Sequence, residues 1–166
     1  AYQYTNGNMY IHSFVSSLAH SISNPTSGVW HHIACTFEAS ASKAYLDGSL
    51  VSTVDHGDVT ASICGNSFSI GILPGYSNTL GGTKLVDEVA LFTSTLSAAD
   101  ITKIYNGTAP NGKPTDLTLA ASYDTDRTSN LKGYWRMGDD SSDTASANGS
   151  ISTITDSSGN GNAATT

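Results

Sequence analysis

Period-two alternation is the feature that most constrains this chain. Between residues 9 and 92, apolar and polar residues alternate in short runs separated by clusters of Gly, Asn, Ser and Asp. The runs are "NMYIHSFV", "GVWHHIACTFE", "KAYLDGSLVSTV", "NSFSIGIL" and "TKLVDEVALF". A strand sends successive side chains to opposite faces, so each run has one face to bury, and an antiparallel sandwich buries several such faces at once. The third run carries its own turn: Asp47 and Gly48 stand between two apolar stretches, where a tight hairpin needs residues that accept positive φ. In "HHIACTFE" the alternation places Ile33, Cys35 and Phe37 together on the core side of a strand.

The period changes in "TLSAADITKIYNG". Ser97 can cap a first helical turn, Asp100 can return a bond to the Ser97 backbone, Leu96 can staple onto Ile101, and Gly107 ends the segment. The spacing predicts one short helix near residues 97–106, with Ile101, Ile104 and Tyr105 as its buried stripe. Residues 108–130, "TAPNGKPTDLTLAASYDTDRTSN", are loose and polar and read as a linker. Order returns over residues 131–166. There "LKGYWRMGDD" gathers Leu131, Tyr134, Trp135 and Met137 into a strand, and "SISTITDSSGNGN" follows.

With 166 residues the chain has the size of one ordinary domain. Apolar types make up 38% and charged types only 13%, the balance of a β-rich surface module rather than of a disordered segment. Fourteen acids against seven bases give a net charge of −7, which sets nucleic acid and anionic membrane aside as partners. No apolar stretch approaches the roughly 20 residues of a membrane-spanning helix, and the Ala1 end carries no basic and apolar leader pattern.

Three stretches together resemble the laminin G-like branch of the concanavalin A-like lectin and glucanase superfamily. They are "VWHHIACTF", then "AYLDGSLV" with "FSIGIL", then "VDEVALFTSTLSAADITKIYNG". The resemblance implies an all-β, two-sheet antiparallel jelly-roll sandwich over residues 1–107, incomplete at its start. The closing stretches "GYWRMGDD" and "ITDSSGNGN" are similar to the first strands of the same family, although here they come last. Residues 131–166 are therefore expected to be either the opening of a following repeat or a permuted or swapped completion of the sandwich. Two strands of this kind are marginal alone, so they must pack on residues 1–107, on a neighbouring copy or on further sequence. The setting implied is extracellular, on a cell surface or a virion surface, within a larger tandem protein.

Candidate sites follow. The loop "TDSSGNGN" offers the Asp156 carboxylate and the Asn160 and Asn162 amide oxygens, the hard ligands that Ca²⁺ prefers, and the resemblance adds Asp87 through a structural calcium joining the opening loop to the final strand. The same residue types also make a plain Asx turn that needs no ion. For carbohydrate, Tyr76 and Asn78 in "LPGYSNTLGG" place an aromatic and an amide on a loop between strands. Trp30 and Trp135 are read as core anchors, since the family buries a tryptophan at each position. His31 and His32 point to opposite faces of one strand and cannot share a metal. Cys35 and Cys64 permit one disulfide, although Cys35 also reads as a small buried hydrophobe. Asn106 and Asn148 fit the glycosylation pattern.

Glycan-cleaving members of the superfamily use paired carboxylates on one strand face. Glu38 and Glu88 are the only glutamates, no strand offers an E-x-D-x-E run, and no G-x-S-x-G occurs. The chain reads as a non-enzymatic module that binds a glycan or cell-surface ligand. Its alternative is a structural repeat or fibre unit that packs on neighbouring copies of the same protein.

Overall fold

A computed structural model describes residues 2–5, 8–12, 19–23, 25–57, 85–107, 115–137, 143–145 and 151–165. The chain divides into two compact units, Ala1–Lys84 and Leu85–Thr166. Both are built from antiparallel strands, and the described residues include one α-helix, in the second unit.

Among its described residues, the first unit holds two three-stranded sheets. β1 (Tyr2–Thr5), β2 (Asn8–His12) and β3 (Ala19–Ser23) pair in sequence order, as do β4 (Ile33–Phe37), β5 (Ala41–Leu46) and β6 (Ser49–Asp55). Register sets Ile33 opposite Leu46 and Cys35 opposite Ala44, so these four residues share one face. Ile22 of β3 packs onto that face, and Ile22 and Ala44 form its buried centre. Two residues apart on β3, His20 reaches the same face and bonds Ser42 of β5 at 3.0 Å and Ser52 of β6 at 2.9 Å. The β5–β6 turn is the one that "DG" predicts: Asp47 and Gly48 take φ of 50° and 75°, the left-handed region that a two-residue hairpin requires.

Two apolar residues of this unit depart from the sequence reading. Phe37 is 52% exposed, because it closes β4 beyond the Ile22–Ala44 cluster. Trp30 is 64% exposed. Strand pairing starts only at Ile33, so the alternation that would turn Trp30 inward does not extend back to it. Cys35 carries a free thiol, which burial pushes up to about 11, and Cys64 lies outside the described residues.

In the second unit β7 (Val89–Phe92) pairs with β8 (Leu131–Trp135), and β10 (Ile151–Ile154) lies between β9 (Thr144–Ala145) and β11 (Ala164–Thr165). The strand "LKGYW" thus docks in cis on "VALF", with Val89 opposite Trp135 and Ala90 opposite Tyr134. Trp135 also bridges to Asp156, and the Ser157 N–H donates to the Tyr134 carbonyl at 2.7 Å. Gly133 is required beneath the indole: a Cβ there would stand 2.5 Å from Cη2 of Trp135. The stretch whose composition reads as a linker carries Leu117 and Tyr123, which join Leu131 and Tyr134 as the core of this unit, with Ala90, Phe92 and Ile104 packed against it. Two short 3-10 turns, Ala120–Ser122 and Thr128–Asn130, shape that stretch.

Helix α1 (Ala98–Asn106) starts as the sequence predicts. Ser97 Oγ accepts the Asp100 N–H at 3.1 Å while Asp100 Oδ2 accepts the Ser97 N–H, a reciprocal capping box. Ile101 is buried and Ile104 reaches the core cluster, whereas Tyr105 at the edge of the stripe is 43% exposed.

Candidate functional site

Among the described residues, four arrangements gather chemistry-bearing side chains. The first is the loop after β10. Asp156 is buried, and its Oδ1 accepts the N–H groups of Tyr134 (2.9 Å) and Ser158 (3.0 Å). Its Oδ2 accepts the Asn162 N–H (2.8 Å) and the Asn162 amide (3.2 Å). Burial alone would raise the Asp156 pKa, but the Ser158 side chain and the N–H groups of Asn162, Tyr134 and Ser158 outweigh it and hold the carboxyl at about 2. Gly159 and Gly161, at φ of 82° and 74°, turn the loop back so that Asn162 meets Asp156. The Asn160 and Asn162 amide nitrogens donate to the carbonyls of Leu131 and Lys132, at 2.9 and 2.8 Å. The Trp135 indole N–H donates to the Asn162 carbonyl at 2.8 Å.

The structure therefore brings Asp156, Asn160 and Asn162 together, with the nitrogen ends of both amides on the strand carbonyls. Asp87 Oδ1 accepts the N–H of its neighbour Glu88, whose φ is 52°. Among the described residues no group of three His, Cys, Asp or Glu side chains is placed to hold a metal. Four N–H groups fill the acceptor positions of the Asp156 carboxylate.

The second arrangement surrounds Glu88. Its carboxylate accepts the Tyr134 hydroxyl and the Arg136 guanidinium (3.1 Å), and Arg136 lies 5.6 Å from the Tyr134 ring centroid. Desolvation raises the Glu88 pKa, with Tyr134 and Arg136 opposing. The third is Asp100, fully buried, which accepts from Thr125 N–H (3.0 Å), Ser97 and Arg127 (3.0 Å). Burial would raise it, and these donors hold it at about 2. It fastens α1 to residues 125–127.

The fourth lies at the turn end of the β4–β6 sheet. His31 Nδ1 contacts Asp47 Oδ2 at 2.8 Å, and the His32 N–H donates to Asp47 Oδ1 at 2.9 Å. The His31 Nε2 contacts the Thr26 carbonyl at 3.2 Å, and the Asp47 N–H donates to the His32 carbonyl at 2.9 Å. The hydrogen bond to Asp47 raises the His31 pKa. This lattice clamps residues 26–32 onto the hairpin turn, and within the clamped segment Val29 and Trp30 face solvent at 62% and 64% exposure.

A laminin G family model, described as the concanavalin A-like lectin/glucanases superfamily, matches residues 3–102, more than half of the chain. The chain belongs to that superfamily. Its mostly β architecture, with antiparallel sheets and, among the described residues, one capped helix, agrees with the concanavalin A-like fold. Among solved structures, an S-layer domain-containing protein from Clostridium thermocellum (residues 221–444) is similar, with 22% identity and a TM-score of 0.38. The likeness covers 59% of this chain and 49% of that one, so the chain spans about half the length of the structure it matches. No curated protein matches the chain. No helix among the described residues is long and apolar enough to cross a membrane.

Within this concanavalin A-like chain, the carbohydrate candidates Tyr76 and Asn78 lie outside the described residues, as does Asn148. Trp135 is buried, as the family position implies. Trp30 is not, and it becomes the exposed aromatic that sequence reasoning assigned to the core. His31 and His32 precede the strand and converge on Asp47 instead of flanking a sheet. The role of Asp47 as their anchor was missed, although two adjacent histidines followed by "DG" in a hairpin carry the signal. The Glu88–Tyr134–Arg136 and Asp100–Arg127 groups join residues far apart in sequence, and no local pattern announces them.

Proposed function

We propose that this chain is a non-enzymatic laminin G-like binding module of an extracellular or surface protein, and that it holds a glycan against the Trp30 loop. The observation that carries this reading is the solvent-facing indole on a segment clamped by His31 and Asp47. A pyranose presents an apolar face that stacks on an aromatic ring, and its hydroxyls need polar groups close by. A clamped loop also binds with less ordering cost than a loose one. The membership in a lectin and glucanase superfamily supports the ligand class. Against hydrolysis, the Glu88 carboxylate is committed to Tyr134 and Arg136, and Glu38 to Lys43 at 2.6 Å.

The test is a glycan array probed with the wild-type chain and with Trp30→Ala, each checked for melting. A glycan signal that falls at least about tenfold in Trp30→Ala, with melting preserved, supports the reading. A signal retained in Trp30→Ala but lost in Tyr76→Ala would move the platform to the loop expected from sequence. A second reading, as a structural repeat, is favoured by Phe37, Leu50 and Val51, which leave apolar surface exposed on the same sheet. No glycan signal, together with concentration-dependent sedimentation, would select that reading.

A further inference from the structure

We infer that the Asp156 loop is a metal-independent clasp, in which one carboxylate closes the loop onto β8 where the family resemblance suggests a calcium ion. The inference stands apart from the glycan reading, which involves the other unit of the chain.

A carboxylate has about four acceptor positions, two on each oxygen. In Asp156 all four are taken: Tyr134 and Ser158 N–H groups on Oδ1, and the Asn162 backbone and amide N–H groups on Oδ2. The donors come from three places, namely the strand, the turn just after Asp156, and the returning end of the loop. One anion therefore ties together what a bound cation would tie by drawing in oxygens. Calcium takes six to eight oxygen ligands, and a donor N–H aimed at the same oxygen points its positive end at the ion. The neighbouring amide nitrogens and the Asn162 carbonyl are engaged in the same closure. Asn160 and Asn162 turn their nitrogens to the Leu131 and Lys132 carbonyls, and the Asn162 carbonyl accepts the Trp135 indole. For calcium to bind the Asp156 oxygens, the carboxylate would have to surrender its N–H donors.

The two left-handed glycines serve the same closure, because they return Asn162 to within bonding distance of Asp156 without any ion to draw it in.

The experiment uses the intact chain and calcium chloride as the probe. In a buffer with excess chelator, the amide protons of Tyr134, Ser158 and Asn162 should exchange as slowly as those of the β7–β8 ladder; fast exchange of the three would overturn the clasp. Melting in chelator and in millimolar calcium should agree to within about 2 °C, because a ligand well above its Kd would move a domain of this size by several degrees. If calcium does raise the melting point, the Asn160→Ala/Asn162→Ala double variant assigns the ion: loss of the rise overturns the clasp, while a retained rise places the ion elsewhere and leaves the clasp standing. Asp156→Asn should melt several degrees lower in chelator, and unchanged melting would also overturn the proposal. Should that variant not fold, Asn162→Ala, which removes the amide bonds to Asp156 and to the Lys132 carbonyl but keeps the Asn162 backbone donor, is expected to lower melting by a smaller amount in the same buffer, and no change there would count against the clasp.

Discussion

Asp100 and Asp156 would each favour the neutral form if burial acted alone, and in both the donors decide otherwise. The folded values of about 2 lie below the ordinary 3.8, so the unfolded chain binds more protons in this window and stability rises with pH through it. Each carboxylate thus contributes about 2 kcal/mol that is present above pH 4 and lost as the pH falls towards 2. Urea unfolding across that range should show the loss, and Asp100→Asn should roughly halve it, leaving the share of Asp156, while lowering stability at neutral pH by about 1–3 kcal/mol. Trp30 gives the contrasting case. A buried tryptophan truncated to alanine costs about 3–5 kcal/mol. Trp30→Ala, at 64% exposure, should cost less than about 1 kcal/mol by the same measurement.

Elements were legible where a local rule is sufficient. "LDGS" fixes the β5–β6 hairpin because few residues tolerate φ of 50° and 75°, and Ser97 with Asp100 fixes the start of α1 because the two side chains satisfy each other's backbone. What alternation cannot supply is the cover over a face. It sets Phe37 beside Cys35, yet Phe37 stays half exposed because the cluster centred on Ile22 ends before it. Loose composition over residues 115–130 likewise concealed Leu117 and Tyr123, whose burial depends on partners from β7, β8 and α1. In the Asp156 loop, the same Asp, Asn and Gly suit an ion cage or an Asx clasp, and the difference lies in which end of each amide points inward. β8 offers a test at this scale. Gly133→Ala forces a methyl group against the Trp135 ring and should lower stability by about 1–3 kcal/mol, read as a lower urea midpoint.

For the molecule as a whole, pH acts on the two units in different windows. In the first unit, burial lowers the pKa of His20, and burial opposed by Asp47 lowers that of His32, so their contribution is complete above the ordinary value near 6.5 and fades as pH falls below it. His31 is raised, so its contribution is complete below 6.5 and fades as pH climbs through its folded value. Histidine-linked stability of this unit should therefore peak near pH 6.5, whereas the acid loss from Asp100 and Asp156 belongs to the second unit. Each unit carries one tryptophan. Trp135→Phe leaves Trp30 to report the first unit and Trp30→Phe leaves Trp135 to report the second, and their fluorescence transitions should shift with pH in these separate ranges. Coincident shifts across both ranges would show a single linked transition instead. The ion pairs carry one further consequence. Among the described residues, Lys43, Arg127 and Arg136 neutralise Glu38, Asp100 and Glu88, so these three cationic side chains already have internal counter-charges in a chain of net charge −7. The outward electric field follows the net negative charge, and copies of this chain brought edge to edge must first overcome mutual repulsion. Any lattice they form should thicken with added sodium chloride and thin on dilution into water.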